Sequence, residues 1–543
     1  MSERARHFRH WPSTWSRPST IAFFVACAVL TILFVGPFLA HSPFGGFDWP
    51  KERFFYTTLR LHLRTHGAPP AAFLGVPASM LPPVRYMPTL MHSSSYVGNP
   101  EVLTFSPLLP LLALVSVELF LRIYFAAHLV VAAIGVCLLA RRLAVPPWAA
   151  LLLFALTILN PWLVQHLAIG YSPYITIALC PLVLAMLAAP RLSLVDWIVG
   201  SATEALIIYE GGLHIFNWLN GALLVFALAM RSRSLIFRVV AVLGGAVLLA
   251  APKLVAVAAT FGDWHRDPLS GVRRLADIYG LLTDGHTNPF KLPQAYGVYS
   301  TNLYDGAMYV GVPFVLLLIA ALVVVAWRRQ RYGAALVAVA AVFGVLAWRS
   351  VWPSLARAVP LAATELYPYR FLFVSLMAIT TLVVLETAAL VARGGLARWL
   401  PLLFIPTLCA TWARTQDYAS LTRTPIAADC TPQALDAAIP AQPPVWSEDH
   451  RPLPATYARG GITIQTNGAR TLVIPDLRAA QVSDFDVEGG RIVQADWKSG
   501  VRLSATAATV RLVPRTHHFW AVALAAWLAF ALIAWLTAWR RRR

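Results

Sequence analysis

The amino-acid sequence predicts an all-α polytopic membrane protein of about twelve transmembrane helices, followed by a small C-terminal extracytoplasmic β domain. Of the 543 residues, 58% are hydrophobic and only 13% are charged, which is too little charge to cover a soluble protein of this size. Apolar runs of about 18 to 22 residues recur, each long enough to cross the hydrocarbon of a bilayer. Near the C-terminus the pattern changes to alternating apolar and polar residues, which is typical of β-strands.

The first predicted span is Ile21–Ala40, which follows a cytoplasmic basic leader at residues 1–20. This run is too long for the apolar part of a cleavable signal peptide and lacks a small-residue cleavage site, so we expect it to remain as a transmembrane helix. The five cysteines form no C-x-x-C pair and no Cys/His cluster, and four of them lie in apolar runs. A disulfide framework is therefore not favoured.

Short clusters of arginine between the apolar runs predict the topology. They contribute much of the net charge of +19, and their placement is typical of positive-inside anchors rather than of a nucleic-acid-binding surface. We therefore expect a multi-pass protein of the inner (plasma) membrane with both termini in the cytoplasm. The clusters are Arg141-Arg142, Arg231 with Arg233, Arg328-Arg329 with Arg331, Arg393 with Arg398, and Arg540–Arg543.

The remaining spans follow from the same reasoning and complete a transmembrane domain at 21–413. They are expected at roughly 122–140, 148–165, 172–189, 193–210, 213–230, 236–258, 308–327, 333–349, 369–390, 398–413 and 518–539. Thr104–Val117 is apolar but short and interrupted by proline, and counting it as a span would reverse every later arginine cluster. We interpret it as a juxtamembrane or re-entrant segment. The large outer segments are then 41–121, 259–307, 350–368 and 414–517, and function is expected on that face.

The last outer segment, 414–517, is predicted to be an extracytoplasmic β-rich domain. Ile462 and Ile464 precede Asn467-Gly468, and Leu472 and Ile474 follow it. Asn-Gly supplies the two positive φ angles that a type I′ turn needs, so the pattern predicts a hairpin. We expect a β unit of about 60 to 70 residues, tethered by a final transmembrane helix and a cytoplasmic arginine tail at 518–543.

Acidic residues mark both ends of the first outer loop, 41–121. Asp48 follows the first span closely, and an acid in this place can take the proton of an acceptor hydroxyl in a transfer reaction. Its alternative role is that of a solvated interfacial residue or a helix N-cap. Glu101 precedes a proline-punctuated apolar segment, and the alternative there is an ordinary loop end.

Polar residues also cluster where predicted spans reach the outer face. Tyr209-Glu210-Gly211-Gly212-Leu213-His214 would break a helix and let backbone approach a ligand, although an interfacial turn with an exposed Glu210 has the same pattern. Asp305 lies just before the eighth span. Arg370 opens the tenth span and could clamp a phosphate, or else pair with Glu365 or a lipid headgroup. For Tyr171 and Tyr174 we favour an aromatic belt at the membrane interface.

In layout, residues 20–390 resemble the GT-C superfamily of polyprenyl-phosphate-dependent glycosyltransferases, and most closely the bacterial YfhO-like membrane proteins. The resemblance rests on the order and sidedness of several short motifs. These are Asp48 with Phe54-Phe55-Tyr56, His66-Gly67-Ala68-Pro69-Pro70, Pro100-Glu101 to Ser106-Pro107-Leu108, Gly211-Gly212-Leu213-His214, Tyr309-Val310-Gly311 and Pro368-Tyr369-Arg370-Phe371. The chain departs from the family pattern at Asp48, because Trp49 follows where an adjacent acid is expected.

The resemblance implies an inverting enzyme that moves a sugar from a polyprenyl-phosphate donor to an envelope glycan, lipid or protein. Asp48 would be the catalytic base, and Arg370, with Lys51, would offset the charge of the leaving phosphate. The other candidate substrate-binding residues are Glu101, Glu210, His214 and Asp305. A divalent metal is compatible with this chemistry, but the sequence offers no set of three ligands for one.

Two further functions fit the same layout. A transporter or flippase of lipid-linked glycans would use the same acids as substrate contacts, but such proteins often contain an internal repeat and none is evident. A non-catalytic protein of envelope assembly would use the β domain for docking.

Overall fold

A computed structural model describes residues 15–41, 49–65, 101–261, 272, 275–283, 308–358, 368–421, 445–458, 461–474, 485–496, 500–514 and 519–542. These residues form a helical bundle, a β-sandwich after it, and a last helix that returns to the bundle.

The first half of the bundle contains ten α-helices. They are α1 (Arg17–His41), α2 (Trp49–Thr65), α3 (Leu109–Leu114), α4 (Val117–Arg142), α5 (Pro147–Leu153), α6 (Pro161–Ala168), α7 (Cys180–Ala188), α8 (Leu194–Tyr209), α9 (Leu213–Ala229) and α10 (Arg233–Phe261). A π-helical turn, Phe154–Ile158, continues α5, and a 3-10 helix, Ser172–Leu179, precedes α7.

The second half continues with helices on both sides of the β-sandwich. They are α11 (Leu275–Thr283), α12 (Val312–Arg328), α13 (Arg331–Leu346), α14 (Trp352–Ala358), α15 (Phe371–Val391), α16 (Phe404–Leu421) and α17 (Phe519–Arg542). Three 3-10 helices, Arg349–Val351, Pro368–Arg370 and Gly395–Leu403, lie at or before the starts of α14, α15 and α16.

Seven helices in the described ranges are long and apolar enough to cross a membrane, which confirms the prediction of a mainly helical chain with several candidate spans but is fewer than the predicted twelve. They are Arg17–Ala40, Val117–Arg142, Pro147–Ala168, Arg233–Ala258, Pro368–Val391, Gly395–Gln416 and Ala521–Trp539. Ser172–Ala188, Leu213–Ala229, Val312–Arg328 and Arg331–Leu346 are shorter apolar helices. Thr104–Val117 contains only the six-residue α3, too short to span, as the sequence predicts.

The helical hairpin at 147–188 is interrupted in both of its arms. Pro161 begins α6 after the π-helical turn, and the Asn160 side chain caps that helix by accepting from the backbone N–H of Leu163. On the return arm, Pro173 and Pro181 restrict the backbone, and a 3-10 helix replaces the first half of the α-helix. Such breaks expose backbone groups and are tolerated in a bilayer only where protein or a cavity surrounds them.

Small residues bring the other helices close together. Gly135 of α4 lies directly against the backbone of Pro181 and Leu182, and Gly245 of α10 lies against Ser201 of α8. Close approach of this kind is the main way helices associate in lipid, where apolar side chains gain little by leaving the solvent. The Arg142 side chain of α4 bonds to Asp196 in the first turn of α8 at 2.6 Å. We call this end of the bundle the arginine end.

The β-sandwich consists of two antiparallel sheets. The strands are β1 (Val445–Ser447), β2 (Pro452–Leu453), β3 (Ala455–Ala458), β4 (Gly461–Gln465), β5 (Thr471–Ile474), β6 (Phe485–Glu488), β7 (Gly490–Asp496), β8 (Gly500–Ala505) and β9 (Thr509–Pro514). One sheet has the order β2-β1-β5-β8-β7 and the other β3-β4-β9-β6. Their shared core contains Val445, Ile464, Leu472, Ile474, Leu503, Val510 and Leu512.

The predicted hairpin around Asn467-Gly468 is wrong in its pairing. The turn has the expected positive φ angles of 47° and 83°, but β4 pairs with β3 and β9, whereas β5 pairs with β1 and β8. The turn therefore crosses from one sheet to the other, because Ile464 and Leu472 both point into the core between the sheets. α16 extends to Leu421, past the predicted boundary at residue 414, and the first strand in the described ranges is Val445–Ser447.

Candidate functional site

A narrow cleft of about 10 Å³ with polar lining residues, which we call the polar cleft, lies at the end of the bundle opposite the arginine end, beyond the last turn of α8. It combines two carboxylates, two tyrosines, a histidine and a glycine turn. The lining residues are Glu52, Glu101, Tyr171, Pro173, Tyr174, Gly211, Gly212, His214 and Ile215. They come from four separate parts of the chain, so the fold itself creates this cleft.

The turn between α8 and α9 lets the Glu101 segment approach the cleft. Gly211 has a φ of 89°, a conformation that L side chains rarely adopt, and a Cβ on it would collide with the carbonyl of Glu101. The backbone N–H and the hydroxyl of Thr104 both donate to the carbonyl of Tyr209, at 2.8 and 2.9 Å. Glu101 is therefore held beside Gly211 by backbone contacts.

A buried lysine also holds the Glu101 segment in place through hydrogen bonds to backbone carbonyls. Lys253 of α10 is fully buried, and its Nζ donates to the carbonyl of Val102 at 2.6 Å and to that of Tyr209 at 3.4 Å. A charge-assisted bond of this kind is stronger than a neutral one, especially where water is excluded. Lys253 therefore joins the Glu101 segment to the end of α8.

Glu52 of α2 receives a chain of hydrogen bonds. The Ser172 hydroxyl donates to Glu52 Oε2 at 2.6 Å, and because that proton is used, the Tyr56 hydroxyl donates to Ser172 at 3.1 Å. Burial raises the pKa of Tyr56, and the nearby Glu52 charge raises it further, so the phenol keeps its proton. Glu52 is itself only 3% exposed, which places a preorganised carboxylate in the wall of the cleft.

Arg370 lies behind the two tyrosines of the cleft. Its guanidinium carbon is 5.4 Å from the ring centroid of Tyr171 and 5.7 Å from that of Tyr174, and the side chain is buried. The next residue, Phe371, stacks on Trp352 with ring centroids 5.7 Å apart. This aromatic packing restricts the position of the Arg370 side chain, and cation–π contact stabilises the charge of its guanidinium.

An apolar cavity of about 280 Å³ begins where the polar cleft ends, and Ile215 lines both. Its volume is close to the lower end of the roughly 300–1,000 Å³ typical of small-molecule pockets. Trp218 and Phe373 lie in its wall on the cleft side, and Leu143 and Leu235 on the arginine side. Both interrupted arms of the 147–188 hairpin contribute to it through residues such as Thr157 and Cys180. The cavity therefore runs along much of the bundle.

The structure brings some predicted site residues together and separates one. Glu101 and His214 line the cleft, and Arg370 backs it. Glu210 does not line it. Its carboxylate bonds to Nε2 of His128 at 2.6 Å, and it is 2% exposed, so the alternative of an exposed Glu210 is wrong, while its role in binding substrate stays a prediction. Lys51 belongs to α2, but its side chain lies outside the described structure, as do residues Asp48 and Asp305.

Sequence reasoning missed three residues of the cleft. Glu52 stands one helical turn after Asp48, and this spacing could have marked it as a candidate. Tyr171 and Tyr174 were interpreted as an aromatic belt, yet Tyr174 is only 5% exposed and both line the cleft. Their proximity to Arg370 in space has no signal in the sequence.

No known protein-family model matches this sequence, and comparison with curated proteins and with solved structures finds no significant match. The resemblance to glycosyltransferases remains a prediction, and the site is interpreted from its own chemistry. In the described part of the chain, no group of three or more His, Cys, Asp or Glu side chains is placed to hold a metal ion.

The residues of the cleft suit a polyhydroxylated ligand. Carboxylates accept hydrogen bonds from hydroxyl groups, and tyrosine rings offer flat apolar faces with a polar edge. The adjoining cavity suits a long hydrocarbon chain. Together they would fit an amphiphile with a sugar-like head.

Proposed function

We propose that this protein is a membrane glycosyltransferase that transfers a sugar from a polyprenyl-phosphate donor to a cell-envelope acceptor. The observation that carries the proposal is the junction at Ile215 between a small polar cleft and a larger apolar cavity. A lipid-linked sugar has the same two parts, a polar head and a long apolar chain joined at a phosphate.

In this proposal the head of the donor binds at the cleft, whose walls move apart to admit it. Glu101, His214 and the two tyrosines contact the sugar hydroxyls and ring. Arg370 offsets the negative charge of the phosphate that leaves, because a planar guanidinium can form two parallel bonds to it. The chain of the donor enters the cavity past Ile215 and Trp218.

The transfer itself is a direct displacement. The hydroxyl oxygen of the acceptor bonds to the anomeric carbon, the bond from that carbon to the phosphate oxygen breaks, and a carboxylate takes the hydroxyl proton. Asp48 remains the first candidate for this base. Glu52 is the second, because it stands in the cleft wall with Ser172 holding one of its oxygens.

The finer features follow the family resemblance. We infer about twelve spans of GT-C type, a location in the bacterial inner membrane, both termini in the cytoplasm and the cleft on the outer face. The arginine end then carries the cytoplasmic loops, as the positive-inside rule requires. Reporter fusions after Arg142 and Arg331 should be cytoplasmic, and a fusion after residue 460 should be outside.

A flippase of lipid-linked glycans is the second candidate. It is favoured by the length of the cavity, which extends from Trp218 to Leu143, and by the interrupted helices beside it. Interrupted helices are common where transporters bind their substrates.

The test uses purified full-length protein and three probes: undecaprenyl phosphate, undecaprenol and phosphatidylglycerol. We expect retention of undecaprenyl phosphate in native mass spectrometry, weaker retention of undecaprenol, and ready exchange of phosphatidylglycerol. Ala378→Trp should fill the cavity and abolish retention, whereas Leu228→Trp, on a side chain that is 55% exposed, should not. Equal retention of all three lipids would contradict the proposal.

Activity separates the two candidates. Proteoliposomes with undecaprenyl-phosphate-linked hexose and envelope extract should release undecaprenyl phosphate if the protein is a transferase. If the labelled lipid only changes leaflet and stays intact, the flippase is correct.

A further inference from the structure

Among the described residues, one carboxyl group without a basic partner is buried beside the wall of the apolar cavity. Glu204, in the middle of α8, is 1% exposed, and its Oε2 accepts from the Asn220 amide at a long 3.4 Å. Within the described part of the chain its Oε1 has no hydrogen-bond partner, and neither has Oδ1 of Asn220. A polar pair this deep in a membrane protein is energetically costly, and such groups usually serve a function.

Three other buried acids of the bundle differ from Glu204 because each faces a base, whereas the buried Glu52 accepts from the Ser172 hydroxyl. Asp196 is 2.6 Å from Arg142, Glu210 is 2.6 Å from His128, and Glu386 is 3.9 Å from Arg328. A buried carboxylate with only an amide beside it lacks the compensation that these three have. The negative charge of an ionised Glu204 therefore has to be neutralised by a cation or by a bound proton.

The helices that pack on α8 show which groups could supply such a cation. From α7 the neighbouring titratable group is the Cys180 thiol, and α9 offers Asn220 and, nearer the cleft, His214. Of the three cations of α10, Arg233 is exposed at the first residue of the helix, Arg238 bonds to the carbonyls of Leu187 and Ala189, and Lys253 bonds to that of Val102. The charged residues of α17 lie at its arginine-rich end, and the 3-10 helix before α7 offers Tyr174.

We propose that Glu204 and Asn220 form an intramembrane proton-binding site coupled to the occupancy of the apolar cavity. The proton neutralises the carboxyl group, and the amide orients it. Cys180 and Leu219, which line the cavity, are the structural connection, since α7, which begins at Cys180, packs on α8, and Leu219 precedes Asn220. The proton site does not depend on the proposed glycosyl transfer.

Occupancy and protonation should influence each other. A hydrocarbon chain in the cavity excludes water from the region beside Glu204, and this makes a charged carboxylate less favourable. Binding of the chain therefore takes up a proton when some of the carboxyl is ionised. Because linkage is reciprocal, an apolar ligand should bind more tightly at lower pH.

The direct test is labelling of the full-length protein in lipid nanodiscs with dicyclohexylcarbodiimide, which reacts with protonated carboxyls in apolar surroundings. Peptide mass spectrometry should find the label on Glu204, decreasing as the pH is raised, and absent in Glu204→Gln. Asp196, buried but bonded to Arg142 at 2.6 Å, is the matched internal control and should stay unlabelled. Labelling of Asp196 but not of Glu204, or no labelling of Glu204 at any pH, would overturn the proposal. So would protection of Glu204 by sodium ions at constant pH, because the site would then bind a metal cation.

The coupling is tested with undecaprenol, a chain without a titratable head. Its binding to wild-type protein in weakly buffered medium should take up protons, and Glu204→Gln should still bind it without uptake. Equal uptake by both proteins, or none by wild type at any pH where labelling is partial, would refute the coupling. These measurements use no sugar donor, so their failure is distinguishable from failure of the proposed transferase activity.

Discussion

The membrane bundle and the β-sandwich place their polar residues in opposite ways. The sandwich has a small apolar core of seven fully buried side chains, and arginines such as Arg502 and Arg511 face the solvent. The bundle leaves large apolar side chains such as Ile32 and Leu228 on its surface and buries Glu52, Glu204, Glu210 and Lys253.

This difference follows from the solvent around each region. Water drives apolar side chains into the core of the sandwich, but lipid gives an apolar side chain no reason to leave the surface. In the bundle, small residues, hydrogen bonds and ion pairs specify the contacts instead. Function is therefore sought among the buried polar groups of the bundle, whereas stability of the sandwich depends on its apolar core.

The largest expected effect breaks function without breaking the fold. Glu52→Gln keeps the volume of the side chain but removes a proton acceptor, and losing base catalysis typically lowers the rate by about 10²–10⁴. Incorporation of sugar into envelope material by cells and by proteoliposomes is the measurement. Asp48→Asn is examined in parallel, and the larger loss identifies the base.

The matched control is Glu488→Gln, an exposed acid on β6 that should leave activity unchanged. Thermal stability of all three variants should stay near that of wild type. If Glu52→Gln and Asp48→Asn both retain full activity in a reconstituted assay, neither is the base.

The second prediction compares the loss of an apolar side chain in the core of the sandwich with the same loss on the exposed surface of the bundle. Leu503→Ala in the core of the sandwich should destabilise that domain by about 2–5 kcal/mol, because it removes apolar contacts and leaves a cavity. Leu228→Ala, on the lipid-facing side of α9, should change the stability of the bundle little, since lipid fills the space. Hydrogen exchange of each region in the intact protein gives both values. A larger effect from Leu228→Ala would contradict the comparison.

From the sequence one can predict which part of the chain is an apolar helical bundle and which part is a β domain. The contacts between residues within each region are predicted poorly. Ile21–Ala40 predicts α1 almost to its ends, because the length of an apolar run is a local property. The pairing of Glu210 with His128 joins residues 82 positions apart, and nothing near Glu210 announces it. Likewise Asn467-Gly468 indicates a turn correctly, but the pairing of β4 and β5 depends on strands distant in sequence. The same limit applies to the cleft. The sequence marks Glu101 and His214 as candidate residues, but it does not show that residues from four separate parts of the chain meet there.

The third prediction concerns the glycine turn of the cleft. Gly211→Ala introduces a Cβ where φ is 89° and the carbonyl of Glu101 is in contact, which costs roughly 1–2 kcal/mol from the backbone alone. Hydrogen exchange should increase in the 101–106 segment, and retention of undecaprenyl phosphate should weaken. Gly244→Ala on α10 is the control, because a Cβ there would meet nothing within 4 Å. Equal exchange in both variants would show that Gly211 does not hold the segment.

The smallest expected effect lies in the exposed turn between β1 and β2. The hydrogen bond of the Ser447 side chain, and then that of Arg451, lower the pKa of Asp449 below its ordinary value. The group therefore stabilises the folded turn at pH values above the ordinary carboxyl range, and this contribution is lost as the pH falls through the lowered pKa. Because Asp449 is exposed, water and salt screen the effect, and we expect only a slight change.

Local hydrogen exchange at His450 and Arg451 should increase on acidification in wild type, but should be insensitive to pH, beyond the intrinsic exchange rate, in Asp449→Asn. Glu448→Gln, at the neighbouring exposed position, should behave like wild type, and if it also abolishes the pH dependence, the assignment to Asp449 is wrong.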